Sequence, residues 1–289
     1  MDDWFSRWLS DDANAKAPDP VPRVACYFET GKQSATGARR SSGPLRANDF
    51  PFPQTRWARY YLRSNAQLLP SPADKAEPAG SYYVGHSPPS GQNRRAVYLM
   101  GFPEPTAVCG PAVLTLWAQL TTIETDFYVL LADLAPDGQY YGLQRGLLRA
   151  SHRAIEKERS DYVECGGRKE LIRPHHPHTS LQPVTPHEPT EYQIEIPAFG
   201  HVFRPGHKLA LAIMQPMEGD LIGVTTSGDP SYRYDSHPPP GTVTILQDAA
   251  HPSSILLPML PELPPLSDLR VPVDQQAGIQ PASVNSAVR

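Results

Sequence analysis

Asp133, Ser151 and His152 fall in one stretch, "ADLAPDGQYYGLQRGLLRASHR", residues 132–153. They are the residue types of a hydrolytic triad, in which a histidine takes the proton of an attacking hydroxyl and a carboxylate orients the histidine. The spacing argues against that use. Ser151 directly precedes His152 on what reads as a strand, and neighbours on a strand face opposite sides. The nucleophile–base hydrogen bond therefore cannot form between them. The sequence has no GxSxG, the strand-to-helix turn that exposes an α/β-hydrolase serine. Pro136-Asp137-Gly138 reads as a turn, so the stretch predicts a hairpin. Asp126 and Arg145 are its expected charged pair, fixing the register of the two strands. No catalytic residue is expected in this chain.

Two other groups could carry chemistry. His175, His176 and His178 lie in "RPHHPHT", with His187 and His201 further on. A zinc site needs three or four converging ligands. Pro174 and Pro177 hold the preceding residues extended, and no cysteine or carboxylate stands at a usual ligand offset. The expectation is a Pro/His loop lying on a sheet, with no metal and no cofactor. Tyr82 and Tyr83, in "GSYYVGH", could stack on a ligand at a pocket rim. The plainer expectation is one tyrosine in the core and one at the rim.

The elements that would position these residues are strands. Proline numbers 34 in 289 residues, more than double average usage, and it is scattered between apolar runs. It cannot donate to a ladder or continue a helix, so it punctuates short extended segments. "EYQIEI", "KLALAI" and "TVTIL" alternate apolar and polar, as strands with one buried face do. Ten strands are expected: 23–28, 58–64, 95–101, 112–122, 126–134, 140–151, 191–197, 208–215, 242–247 and 254–260. They predict an all-β jelly-roll β-sandwich, with a barrel as the alternative. Residues 29–56, 154–187 and 216–241 read as irregular, and the tail 262–289 as loosely ordered. Residues 1–10 read as a helix with Trp4, Phe5, Trp8 and Leu9 on one stripe. It is too short to be stable alone. A polar linker, 11–22, follows it.

Composition excludes several classes. Net charge is −4 and the isoelectric point about 6.2, against a nucleic-acid partner. No run approaches the ~18 apolar residues of a membrane span. The acidic start lacks the features of a secretion signal. Cys26, Cys109 and Cys165 are odd in number and contain no CxxC, which fits a reducing cytoplasm and buried, inert thiols.

The hairpin stretch, extended to 124–153, resembles the C-terminal jelly-roll domain of the Xaa-Pro dipeptidyl-peptidase and cocaine-esterase-like (CocE/NonD) serine hydrolases. Residues 104–119 resemble that domain's opening strands. Residues 184–213 resemble its segment with a Phe-x-Pro-Gly-His turn, here Phe203, Pro205, Gly206 and His207. Residues 248–260 resemble its closing strand, with His251, Pro252 and Ser253. "WFSRWLSDD" resembles the last helix of the family's α/β-hydrolase domain. The resemblance implies a galactose-binding-domain-like sandwich, 23–261, behind the terminal helix of a hydrolase domain. It implies a partner, either that catalytic domain or a separately encoded hydrolase chain, docking on Trp4, Phe5 and Trp8. It implies that the sandwich walls the substrate pocket of an enzyme hydrolysing esters or Xaa-Pro peptides, with Tyr82 and Tyr83 near the rim. A homo-oligomer is the other assembly this reading admits. A stand-alone jelly roll binding a carbohydrate or other ligand, with Tyr82, Tyr83, Tyr232 and Tyr234 available, is the competing function.

Overall fold

Glycine and proline cut the chain into extended runs, and a computed structural model places those runs as strands. It describes residues 22–33, 39–41, 44–85, 88–216 and 239–264. The expected helix with Trp4, Phe5 and Trp8, most of the loop 216–241 with Tyr232 and Tyr234, and the tail from 265 lie outside the described residues.

The strands are β1 (Val24–Cys26), β2 (Glu29–Gln33), β3 (Arg39–Ser41), β4 (Leu45–Ala47), β5 (Arg56–Arg63), β6 (Gln67–Leu69), β7 (Gly80–Val84), β8 (Arg95–Gly101) and β9 (Thr106–Leu120). They continue as β10 (Asp126–Leu134), β11 (Tyr140–Arg149), β12 (Asp161–Cys165), β13 (Arg168–Arg173), β14 (Thr190–Phe203), β15 (Lys208–Met214), β16 (Gly241–Leu246) and β17 (Ser254–Leu260). Strands β8, β10 and β17 have the bounds the pattern predicts. Two readings need correction. Residues 154–187 hold the hairpin β12–β13, and residues 29–56 hold β2, β3 and β4. Short, charged strands lack the apolar alternation that marks the others.

Pairing runs β11-β10-β15-β8-β6-β5-β17-β9-β14-β2-β3, with β16 joined to β9 and β7 joined to β16. The path folds over into two layers, a β-sandwich. One layer is β11-β10-β15-β8; the other is β5-β17-β9-β14 with β16 and β7. Their inward side chains form one core, including Leu114, Leu116, Phe127, Leu131, Ile194 and Ile213. Burying each contributes roughly 1.5–3 kcal/mol.

Prolines inside strands sit where pairing breaks. Pro111 follows Gly110, whose φ of +142° favours glycine, and the partner strand β14 shifts register between Ile196 and Phe199. Pro258 sits where β17 shifts register against β9, between Leu256 and Met259. A missing N–H costs little at a bulge. That is how β9 runs through a proline that the sequence pattern takes as its boundary.

Around this frame, Arg63 and Glu77 close the loop after β6. Arg63 Nε donates to Glu77 Oε1 at 2.8 Å, and the Ser64 N–H donates to Glu77 Oε2 at 2.9 Å. Those hydrogen bonds hold the Glu77 carboxyl at about 2, against an ordinary 4.5. A depressed carboxylate stabilises the fold above its unfolded value and loses that contribution as pH falls through the folded one. The difference in urea midpoint between the wild type and Glu77→Gln is therefore expected to be constant above about pH 5. It should shrink as pH falls from 4.5 toward 2. A difference independent of pH over that window would contradict the assignment.

Candidate functional site

The triad residues do not meet. Ser151 and His152 lie in a 3-10 turn, Ala150–His152, which corrects the strand reading. The turn forms because β11 ends at Arg149 and the Ala150 N–H reaches back to the Thr125 carbonyl at 2.9 Å. The Ser151 hydroxyl is buried without a partner, and His152 turns away to His178, Nδ1 to Nδ1 2.8 Å. Among the described residues no serine hydroxyl bonds a histidine ring.

Asp133 has a different role, one that the sequence pattern does not disclose. It is fully buried on β10. Its Oδ2 accepts from His201 Nε2 at 2.9 Å, and its Oδ1 accepts from His207 Nδ1 at 2.8 Å. Burial pushes the carboxyl up, and the hydrogen bonds from His201 and His207 outweigh it, leaving it below its usual 3.8. His201 comes from β14 and His207 from the turn after it. In that turn the His207 N–H closes on the Arg204 carbonyl at 3.0 Å, and Gly206 has φ +79°. Pro205 then Gly206 at the two central positions suits a type II turn. The Phe-x-Pro-Gly-His motif thus delivers a histidine onto a buried aspartate, joining the two layers. A period-2 pattern shows which face Asp133 occupies but not the distant residues it meets there.

The charged pair of the hairpin also changes. Asp126 bonds Arg149, with Nε to Oδ1 at 2.9 Å, whereas Arg145 lies across from Leu130. A bulge between Leu131 and Ala132 sets the register, and Arg149 is the residue opposite Asp126. At the hairpin tip Gly138 has φ +84°, and the Gln139 N–H bonds Asp137 Oδ1 at 3.0 Å, so Asp137 and Gly138 shape the turn.

The histidine loop lies on the sheet. His176 spans the Ala154 and Gln193 carbonyls, both at 2.9 Å, so its two ring nitrogens are occupied. His178 is pulled below its usual value by burial first, then by His152, His176 and His175. Among the described residues no three or more His, Cys, Asp or Glu side chains gather as metal ligands would.

Tyr82 is a core residue, 1% exposed, with its phenol pushed upward by burial. This corrects its placement at a rim: alternation in β7 sends Tyr82 and Val84 inward. Tyr83 is half-buried and folds over Gly85, whose φ is +135°. A concavity of about 730 Å³ lies beside the β12–β13 hairpin and is lined by Phe50, Pro111, Tyr162, Lys169 and Pro197 among others.

In this sandwich the polar residues Asp133, Asp126, His176 and Ser253 are engaged in struts and turns. Residues 16–256 match the X-Pro dipeptidyl-peptidase C-terminal non-catalytic domain. The chain belongs to that family.

Known relatives place the domain in larger proteins. Two curated mycobacterial proteins, each named "Putative serine esterase", are 25% identical over 193 residues; one is from Mycobacterium bovis and one from Mycobacterium tuberculosis. The match takes in 58% of this chain and 30% of theirs. A CocE/NonD family hydrolase from Staphylococcus aureus superposes with a TM-score of 0.68 at 19% identity, over 89% of this chain and 45% of that one. An aminopeptidase from a marine sediment Thaumarchaeota archaeon gives 0.60 at 18%, over 90% and 43%. At these identities the likeness carries the fold. In this non-catalytic domain, His251, Pro252 and Ser253 act as a staple. Ser253 Oγ donates to the Leu246 carbonyl at 2.6 Å and accepts from the Trp117 N–H at 2.9 Å, joining β16 to β9. His251 packs edge-on against Trp117 with ring centres 5.2 Å apart. Among the described residues no helix is long and apolar enough to cross a membrane.

Proposed function

We propose that this chain is the non-catalytic sandwich of a CocE/NonD-type serine hydrolase, supporting a catalytic domain and walling its substrate pocket. The match of residues 16–256 to a non-catalytic domain carries the reading. It is supported by relatives that are about two to three times longer than the matched part. The acyl chemistry, on esters or Xaa-Pro peptides, belongs to an α/β-hydrolase domain or a separate hydrolase chain. Trp4, Phe5 and Trp8 form the docking stripe, Tyr83 is a rim candidate, and the cytoplasm is the expected compartment.

The test is turnover and labelling. The purified chain is expected to leave p-nitrophenyl esters and Xaa-Pro arylamides unhydrolysed and to take up no fluorophosphonate. Stoichiometric label on one of its own serines would overturn the reading. A second reading, a ligand-binding module, draws on the concavity beside the β12–β13 hairpin, where Phe50 and Tyr162 could stack on a sugar. Binding on a glycan array that is lost in Tyr162→Ala would favour it over the first.

A further inference from the structure

Cys26 and Cys109 do not behave as two isolated buried thiols. Their sulfurs lie 2.9 Å apart although 83 residues separate them in sequence. Two unlinked sulfurs at van der Waals contact would stand further apart, and in this pair either thiol can be the hydrogen-bond donor. Cys109 on β9 is fully buried, while Cys26 on β1 is partly exposed.

The approach is built into the backbone around it. Cys109 pairs with Gly200 on β14. A Cβ at Gly200 would meet Cys26 Sγ at 2.8 Å and the Tyr27 carbonyl oxygen at 3.1 Å. Only glycine therefore lets β1 cross β14 closely enough to bring Cys26 over Cys109. Phe28, Phe52, Val202 and Leu260 form the apolar cluster that holds this crossing.

We propose that Cys26 and Cys109 are an oxidative cross-linking site, which takes a peroxide and closes a disulfide clamping the β1–β4 sheet to the sandwich. Cys26 attacks first, because it is the reachable sulfur. The hydrogen bond from Cys109 lowers the Cys26 thiol below its ordinary value, against the opposing effect of burial. The Cys109 thiol is pushed up, first by the same hydrogen bond and then by burial, so it keeps its proton. The Cys26 sulfur displaces hydroxide from the peroxide and becomes a sulfenic acid. Cys109 then attacks that sulfur, and water leaves. Two thiols and one hydrogen peroxide give one disulfide and two waters. The sulfurs close from 2.9 Å to the ~2.05 Å of the bond by side-chain rotation.

The test treats the full folded chain with dilute hydrogen peroxide, then counts thiols in denaturant and maps peptides without reduction. Wild type should fall from three free thiols to one, Cys165, with a Cys26–Cys109 peptide linkage. Cys26→Ser, at the more exposed position, should keep both remaining thiols and form no linkage. A urea-unfolded sample under the same oxidant should lose selectivity between the three cysteines. Three thiols surviving in folded wild type, or linkage through Cys165, would overturn the proposal.

Discussion

Asp133→Ala is expected to cost about 3–5 kcal/mol of stability, the range for removing one partner of a buried charged pair. Asp133 is fully buried, and its two oxygens are the partners of His201 Nε2 and His207 Nδ1. Removing the carboxylate leaves both ring nitrogens facing a small cavity. His201 is in the worse position: it is 0% exposed, and its Nδ1 already has no partner. His207 is at the surface end of the turn and can reach water. Asp133→Asn should cost less, because the amide keeps one acceptor for His201 and can donate to His207 in its other tautomer. Urea unfolding gives the order, wild type above Asn above Ala, with m unchanged. The pH dependence has a defined sign. The Asp133 carboxyl lies below its ordinary 3.8, so its contribution is present above 3.8 and lost as pH falls through the folded value. Wild type should lose stability faster than Asp133→Ala in that acid window. Equal acid sensitivity of the two would show that the carboxylate is not the group holding the layers together.

The sandwich is legible in the sequence because its central strands are either strongly apolar or alternate apolar with polar. "DFYVLLADL" and "SILLPML" are marked by their apolar content, and β10 and β17 have the bounds it implies. The ends of β9 and β14 are not legible. Both strands continue through proline and glycine by bulging, and a proline in a sequence does not say whether it ends a strand or bends one. The hairpin β12–β13 is missed for another reason. Arg168, Lys169 and Glu170 carry no apolar face, and Glu170 is held by Arg59 of β5. The polar clusters follow the same division. Asp137 and Gly138 act within a few residues and can be read locally. The groups on Asp133 come from residues 201 and 207, and the partner of Cys26 is residue 109; alternation carries no information on such pairs. Arg145 illustrates the limit: the ladder sets Arg149 opposite Asp126 and leaves Arg145, four residues earlier, opposite Leu130.

Gly146→Ala is expected to destabilise the fold by about 1–3 kcal/mol, the cost of overpacking at a site that cannot yield. Gly146 is on β11, the free end of the pairing order, and pairs with Val129 of β10. It is buried because β11 leans onto β14. A Cβ there would run into the Glu195 carbonyl oxygen and stand 3.2 Å from Ile194 Cγ2. The obstruction is backbone, so no side-chain rotation relieves it. The strands must separate instead, and separation opens the core beneath, where Phe127 packs on Tyr192 with ring centres 4.6 Å apart. Gly142→Ala on the same strand is the control. Its added Cβ would meet only Leu130 Cδ1, at an ordinary 3.7 Å. That variant should change stability little or raise it, since alanine restricts the unfolded chain more than glycine does. Urea midpoints compare the two, and hydrogen exchange along β11 and β14 locates the effect. If Gly146→Ala matched Gly142→Ala, the close seal between the edge of one layer and the face of the other would be wrong. The sandwich would then be open on that side, and its core would need a covering surface from another domain.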